Sequence, residues 1–228
     1  MIEMQDVHKK YSNGVTAASG INVTIKQGEF VYVVGPSGAG KSTFIKMMYR
    51  AERPTQGTIM VSGMNLSKLK NNRIPYLRRQ LGVVFQDFKL LTRLTVYENV
   101  AFALEVIEES PSTIQRKVME TLDLVGLKHK ARMFPDELSG GEQQRVSIAR
   151  SIVNTPKVLI ADEPTGNLDP ETSWEIMNIL EEINTRGTTV IMATHNREIV
   201  NTIKHRVIAI EHGRIVRDEQ RGEYGYEN

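Results

Sequence analysis

Cysteine is absent from the 228 residues. That excludes disulfide staples, thiolate zinc sites, iron–sulfur clusters and cysteine nucleophiles together. Long apolar runs are missing too. The longest stretch free of Asp, Glu, Lys and Arg covers residues 11–25, and its Ser, Asn, Gly and Thr make it too polar to cross a bilayer. The N-terminus has no basic segment leading into an apolar run and a small-residue cleavage site, so the expectation is no secretory signal and cytoplasmic residence. No repeat, low-complexity tract or Pro/Gly/Ser-rich linker divides the chain. Nor does one sign of charge dominate: 29 Lys and Arg face 27 Asp and Glu, a formal balance of +2. This argues against a strongly electrostatic nucleic-acid binder, and no nucleic-acid partner is expected. What is present, 40% hydrophobic and 25% charged residues, is the mixture of a globular protein able to bury a real core. One domain spanning 1–228 is expected at this length.

The pattern along the chain predicts an α/β fold. Ile2, Met4 and Val7, then Ile21, Val23 and Ile25, read as N-terminal antiparallel strands with polar turns at Asn13-Gly14 and Gln27-Gly28. Residues 30–34, 83–85, 158–160 and 190–192 are short continuous apolar runs, as in a parallel sheet covered by helices on both faces. Helix starts are legible at Ser110-Pro111, at Ser139 with Glu142 three residues on, and at Asp169-Pro170. A strand pair is expected around His212-Gly213. The middle of the chain therefore reads as a helical lobe, about 87–154, inserted into a core lobe formed by 1–86 and 155–228.

Two groups of residues carry chemistry on their own. Gly35-Pro36-Ser37-Gly38-Ala39-Gly40-Lys41-Ser42 fits GxxxxGK[ST], with an apolar strand before it and a helix after it. Glycines let successive backbone N–H groups converge on phosphate oxygens, and the helix N-terminus adds its positive dipole end. Lys41 is expected to reach the β- and γ-phosphates, Ser42 to offer its hydroxyl to Mg²⁺, and Thr43 to face the α-phosphate. The second group is Asp162-Glu163, which ends the apolar strand at 158–160. Asp162 can hold Mg²⁺ directly or through water, and Glu163, pointing elsewhere on the strand end, can align and polarise the attacking water. Together these predict a P-loop NTPase.

Leu138-Ser139-Gly140-Gly141-Glu142-Gln143-Gln144-Arg145 narrows the class, because it resembles the signature of the ABC ATPases. The other motifs of that family follow in order over nearly the whole chain. The resemblance implies an ABC ATPase fold with ATP and Mg²⁺ as ligands, Tyr11 as the adenine-stacking aromatic, Gln86 as the metal-linked and partner-sensing glutamine, and His195 as the switch histidine at the γ-phosphate. Gly166-Asn167-Leu168-Asp169 would be the loop whose Asp169 reaches across a dimer. It also implies a homodimer closed by ATP, with Ser139, Gly140, Gly141 and Glu142 of one copy meeting the γ-phosphate held by the other. Taken alone, Gln86 reads as a loop amide, His195 as a cap of the following region, and Ser139 and Asp169 as ordinary helix caps; the last two readings are compatible with the functional ones.

In the family, the region after the glutamine receives a coupling helix from a membrane subunit, so an integral membrane partner is expected to dock near 86–98. The alternative is a strip of lobe core. Arg73, Arg78, Arg79 and Lys89 read equally as facing the membrane side or as a solvated face. Residues 77–79, 82–91, 161–169 and the tail after Gly213 look like the cell-division branch of the family, which works with the membrane protein FtsX. That resemblance implies control of cell-wall hydrolases during division, from a position peripheral to the cytoplasmic face of the membrane. The alternative is the ATPase subunit of a lipoprotein-releasing or macrolide-export transporter, which shares several of these patterns.

Overall fold

The computed structural model describes residues 1–224; the last four positions of the expected 1–228 domain, and with them the end of the tail after Gly213, lie outside the described residues. In chain order the elements are β1 (Ile2–Lys10), β2 (Thr16–Ile25), β3 (Phe30–Val34), α1 (Lys41–Met48), β4 (Gln56–Val61), β5 (Met64–Asn65), α2 (Ile74–Arg78) and β6 (Leu81–Val84). Then come α3 (Val96–Glu105), α4 (Pro111–Leu124), α5 (Gly140–Ile152), β7 (Val158–Asp162), α6 (Pro170–Thr185), β8 (Thr189–Ala193), α7 (Arg197–Thr202), β9 (Arg206–Glu211) and β10 (Arg214–Glu219).

Two sheets form. One is antiparallel with order β2-β1-β4-β5; the other has order β10-β9-β3-β8-β7-β6, parallel from β9 to β6 with β10 antiparallel at the edge. The period-two alternation of strand side chains assigns each to one of two cores. Val31, Val33, Val158, Ile160, Ile191 and Ala193 face the core that holds α1 and the antiparallel sheet. Phe30, Tyr32, Leu159, Ala161, Val190 and Met192 face the helices on the other side. α1 is sandwiched between the sheets, with Phe44, Ile45, Met47 and Met48 all at most 1% exposed, each worth about 2 kcal/mol of burial.

The helices of the middle segment share the second core with the sheet. Val100 and Leu104 of α3, Val118 and Leu122 of α4, and Val146 and Ala149 of α5 belong to one apolar cluster with the sheet residues above. Ser110, Ser139 and Asp169 cap α4, α5 and α6 as the sequence predicts.

Several features differ from the sequence reading. The strand expected at 83–85 runs from Leu81 to Val84, and Phe85 leaves the sheet half-buried. β4, β5, α2, α3 and α7 are additional elements. α3 begins with a Thr95–Glu98 capping box hidden in a segment of mixed polarity, and β4 is a short strand that forms by pairing with β1 rather than by strong alternation. β9 is buried almost throughout because it lies between β10 and β3, not in an isolated hairpin. Among the described residues, no helix is long and apolar enough to cross a membrane.

Candidate functional site

The loop at 35–42 joins the buried β3 to α1 at the C-terminal edge of the parallel sheet, where open α/β folds bind ligands. Gly35 (φ +145°) and Gly40 (φ +109°) have conformations that favour glycine. A Cβ would fall 2.1 Å from the Ile210 carbonyl oxygen at Gly35, and 2.4 Å from that of Ala17 at Gly40. The loop is therefore wedged between β9 and β2, and Pro36, Ser37 and Gly38 are left exposed at its crest while Ala39 is buried beneath. No side chain caps α1, whereas α3, α4, α5 and α6 all carry side-chain caps. Its first N–H groups stay open to an acceptor. Lys41 Nζ folds back to donate to the carbonyls of Gly35 at 2.8 Å and Pro36 at 3.1 Å, so the ammonium stands over the loop.

Asp162 ends β7, beside Ala193 of β8. Burial and then the neighbouring Glu163 carboxylate push its pKa up, against the pull of Lys46, the Ser42 hydroxyl and Lys41. A half-buried carboxyl beside a hydroxyl, with a second acid next to it, supplies hard oxygen donors suited to Mg²⁺. Among the described residues there is no group of three His, Asp or Glu placed to hold a metal ion.

Glu163 follows in the left-handed region, φ +52°. Its N–H donates to the Ala193 carbonyl at 3.0 Å. Its Oε2 lies 2.8 Å from His195 Nδ1 and accepts from the His195 N–H at 3.3 Å. The parallel pairing of β7 with β8 puts the two strand ends side by side, so residues 32 apart in sequence form a carboxylate–imidazole pair. The sequence offered both residues but not their pairing.

Gln86 is exposed, and its amide donates to Asn167 Oδ1 at 3.3 Å. This third metal candidate is thus tied to the 166–169 loop. Tyr11 is half-buried; its hydroxyl is 3.1 Å from Thr43 Oγ1, and the Lys9 ammonium sits 4.7 Å from the ring centroid on one face.

The start of α5 is a separate place. Ser139 Oγ accepts from the Glu142 N–H at 3.3 Å and Glu142 Oε2 accepts from the Ser139 N–H at 3.0 Å. Lys130, 2.6 Å from Glu142, and this capping hold the Glu142 carboxyl below its ordinary range. Ser139 and Gly140 are exposed, but Gly141 is buried: a Cβ there would lie 2.2 Å from Thr172 Cγ2. Thr172 is in turn held by Asp169, whose carboxylate accepts from its N–H at 2.9 Å and its hydroxyl at 2.6 Å. Glu142 and Asp169 thus spend their carboxylates inside the chain, and Ser139 and Gly140 are what the signature exposes. No hydrogen bond among the described residues joins 139–142 to 35–43.

A position that the sequence reading did not single out for this site is Gly213. In the β9–β10 turn, its N–H donates to the Ala39 carbonyl at 2.9 Å while its own carbonyl accepts from Ser19 at 2.8 Å. Only its φ > 0 turn chemistry was visible locally; the contact with the phosphate loop is made by sheet order.

The family model for ABC transporters matches residues 18–166. The chain belongs to the ABC transporter family. As an ABC ATPase it hydrolyses ATP. It is 73% identical over 225 residues, 99% of each chain, to the cell division ATP-binding protein FtsE of Bacillus subtilis. It is 57% identical over 226 residues, 99% of this chain and 98% of the other, to FtsE of Mycobacterium tuberculosis. Among solved structures, the dimeric post-hydrolysis state of the ATP-binding cassette MJ0796 bound to ADP and Pi is similar with TM-score 0.87 and 34% identity, covering 99% of this chain and 100% of that one. The ABC fold expected from the motifs is the fold observed.

Proposed function

We propose that two copies of this ABC ATPase close head to tail around ATP, and that closing and opening drive an integral membrane partner of the FtsX type, controlling cell-wall hydrolysis during division. The observation that carries the dimer is the separation of two anion-ready helix starts: the uncapped α1 and the exposed Ser139-Gly140 start of α5, unconnected within one chain. In this reading a nucleotide held at one start meets the other start on a second copy. The dimeric MJ0796 cassette supports this by likeness.

In this reading the N–H groups of 35–42 and Lys41 bind the phosphates, Thr43 the α-phosphate, and Tyr11 the adenine. The Ser42 hydroxyl, Asp162 and Gln86 would hold Mg²⁺, which would supply neutralisation of phosphate charge. Glu163 aligns the attacking water and accepts its proton, and His195, 2.8 Å away, fixes the orientation of that carboxylate and meets the γ-phosphate. Loss of the γ-phosphate removes the contact that joins the two copies, so hydrolysis reopens the pair.

A groove of about 630 Å³ runs beside the 86–98 segment, lined among others by Phe85, Leu91, Phe102, Val106 and Ile107. Phe102 and Val106 are 45% and 59% exposed, an apolar trough suited to a helix from the membrane partner. The FtsE names of the relatives support the cell-division role. Placement at the cytoplasmic face of the membrane follows from that partner.

The test is light scattering of purified Glu163→Gln with Mg-ATP. A doubled mass that falls back when Ser139→Arg is added supports the reading; a monomer at saturating nucleotide, both alone and with its membrane partner, overturns it. Co-purification with a division-type membrane protein, rather than an exporter subunit, decides the partner.

A further inference from the structure

Between Gly63 and Gln86 the chain has no Asp or Glu, yet carries Lys68, Lys70, Arg73, Arg78 and Arg79. All five are exposed. The backbone beneath them is firmly held: Leu66 and Leu77 are fully buried, and the Leu66 carbonyl accepts from Arg50 Nε at 2.9 Å. The cations therefore project from a fixed ledge. Some surface cations are neutralised locally, as in Arg116–Glu120, Lys117–Glu109 and Lys128–Asp123, and others such as Lys10, Arg93 and Arg132 stand singly; the ledge differs in gathering five within twelve residues with no acid among them. Here, among the described residues, no carboxylate is within ion-pair reach, and the acid that precedes the ledge, Glu52, is already paired with Lys9 at 2.8 Å.

The contacts that do exist are neutral. Arg53, another exposed cation, donates to Asn71 Oδ1 at 2.6 Å, and Arg78 Nε to the Tyr49 carbonyl at 3.3 Å. The guanidinium groups of Arg73 and Arg79 lie 5.4 Å and 5.3 Å from the ring centroid of Tyr76, which is itself 50% exposed. An amphipathic aromatic surrounded by unpaired cations is the side-chain set found at membrane–water interfaces.

The ledge is also continuous with the groove assigned above to the membrane partner: Ile74, Pro75, Arg78 and Arg79 form part of its wall. A helix seated there would bring this rim to the bilayer surface. Taking these together, we infer that the ledge at 68–79 is a lipid-contact surface, which binds anionic headgroups of the membrane when the partner is engaged and adds an electrostatic hold of its own. Its placement rests on the groove reading; its chemistry does not. Each cation near an anionic leaflet adds attraction that salt screens within a Debye length.

The experiment uses the full chain without its partner, in co-sedimentation with vesicles of phosphatidylcholine containing phosphatidylglycerol, and with phosphatidylcholine alone. Binding to the anionic vesicles only, weakened by added salt and reduced roughly tenfold or more in Lys68→Glu/Lys70→Glu/Arg73→Glu, supports the inference. The three substituted residues lie outside the groove wall. A matching Gln triple variant with an intermediate loss, with melting temperature and basal ATPase unchanged in both variants, supports it further. Overturning results are no sedimentation with anionic vesicles, equal sedimentation with neutral ones, or unchanged binding by both triple variants. Capture by polyglutamate without capture by vesicles also overturns it, in favour of an acidic protein segment. Phe102→Glu separates the two readings: vesicle binding kept while partner co-purification is lost supports the ledge independently of the groove, and vesicle binding lost with the ledge intact overturns it.

Discussion

At the scale of single residues, the two neighbouring carboxyl groups at the end of β7 are expected to act differently when altered. Glu163→Gln keeps the shape and the contact to His195 but removes the proton acceptor. Turnover measured by phosphate release is expected to fall at least about a hundredfold, with nucleotide affinity retained. Asp162 behaves in the opposite sense in the empty protein, because burial and Glu163 raise its pKa. For a carboxyl raised on folding, the favourable contribution is present at pH below its ordinary range and is given up as pH rises through the raised value. Mg-ATP binding, which needs the ionised form, runs the other way and weakens as pH falls. Asp162→Asn is therefore expected to raise the nucleotide-free melting temperature at neutral pH by up to about 3 °C, roughly 1 kcal/mol. It should also lose the further rise that Mg-ATP gives the unaltered protein. Thermal melts with and without Mg-ATP at two pH values check both signs.

At the scale of elements, the junction of α5 with α6 makes the sharpest prediction. Gly141 is tight against the Thr172 methyl, so Gly141→Ala is expected to cost about 1–3 kcal/mol in denaturant melts. Thr172→Ser removes that methyl while keeping the hydroxyl that Asp169 accepts, and is expected to restore most of the loss. Ser139→Ala removes only the cap, for about 1 kcal/mol. These starts were legible because capping is local: Ser110-Pro111, Ser139 with Glu142 and Asp169-Pro170 each declare themselves within four residues. Thr95 with Glu98 carries the same signal, but the surrounding Leu90, Leu91 and Leu94 obscure it with a mixed pattern that belongs to a loop and a groove edge. The strand, glycine-rich loop and helix at 30–48 were legible for a similar reason, being contiguous in sequence. The Glu163–His195 pair, the Gln86–Asn167 link and the Gly213 support were not, since each depends on which strands or loops lie side by side, and strand order is written in no short stretch of sequence.

At the scale of the whole molecule, the two cores divide the labour. One clamps α1 and the phosphate loop between the sheets, and the other ties the sheet to the helices bearing the α5 start and the groove. In the proposed reading, a change in nucleotide contacts at the α5 start would act on the same apolar cluster that packs beside the groove. Phe102→Glu places a charge in that groove without touching the phosphate loop. It is expected to abolish co-purification with the membrane partner while ATP binding, read with a fluorescent nucleotide analogue, stays within about twofold, as for surface changes remote from a site.

The Gly213 support reaches beyond the finished fold. β3, which launches the phosphate loop, has β9 as its neighbour on one side, and the turn after β9 grips Ala39. During synthesis the segment at 35–42 emerges early, while the strand and turn that brace it come more than 160 residues later. A ribosome-bound chain ending before 206 would carry an open β3 edge and an unbraced cradle, so firm nucleotide capture, and any pairing of copies that relies on it, would wait until β9 and the turn after it have been made.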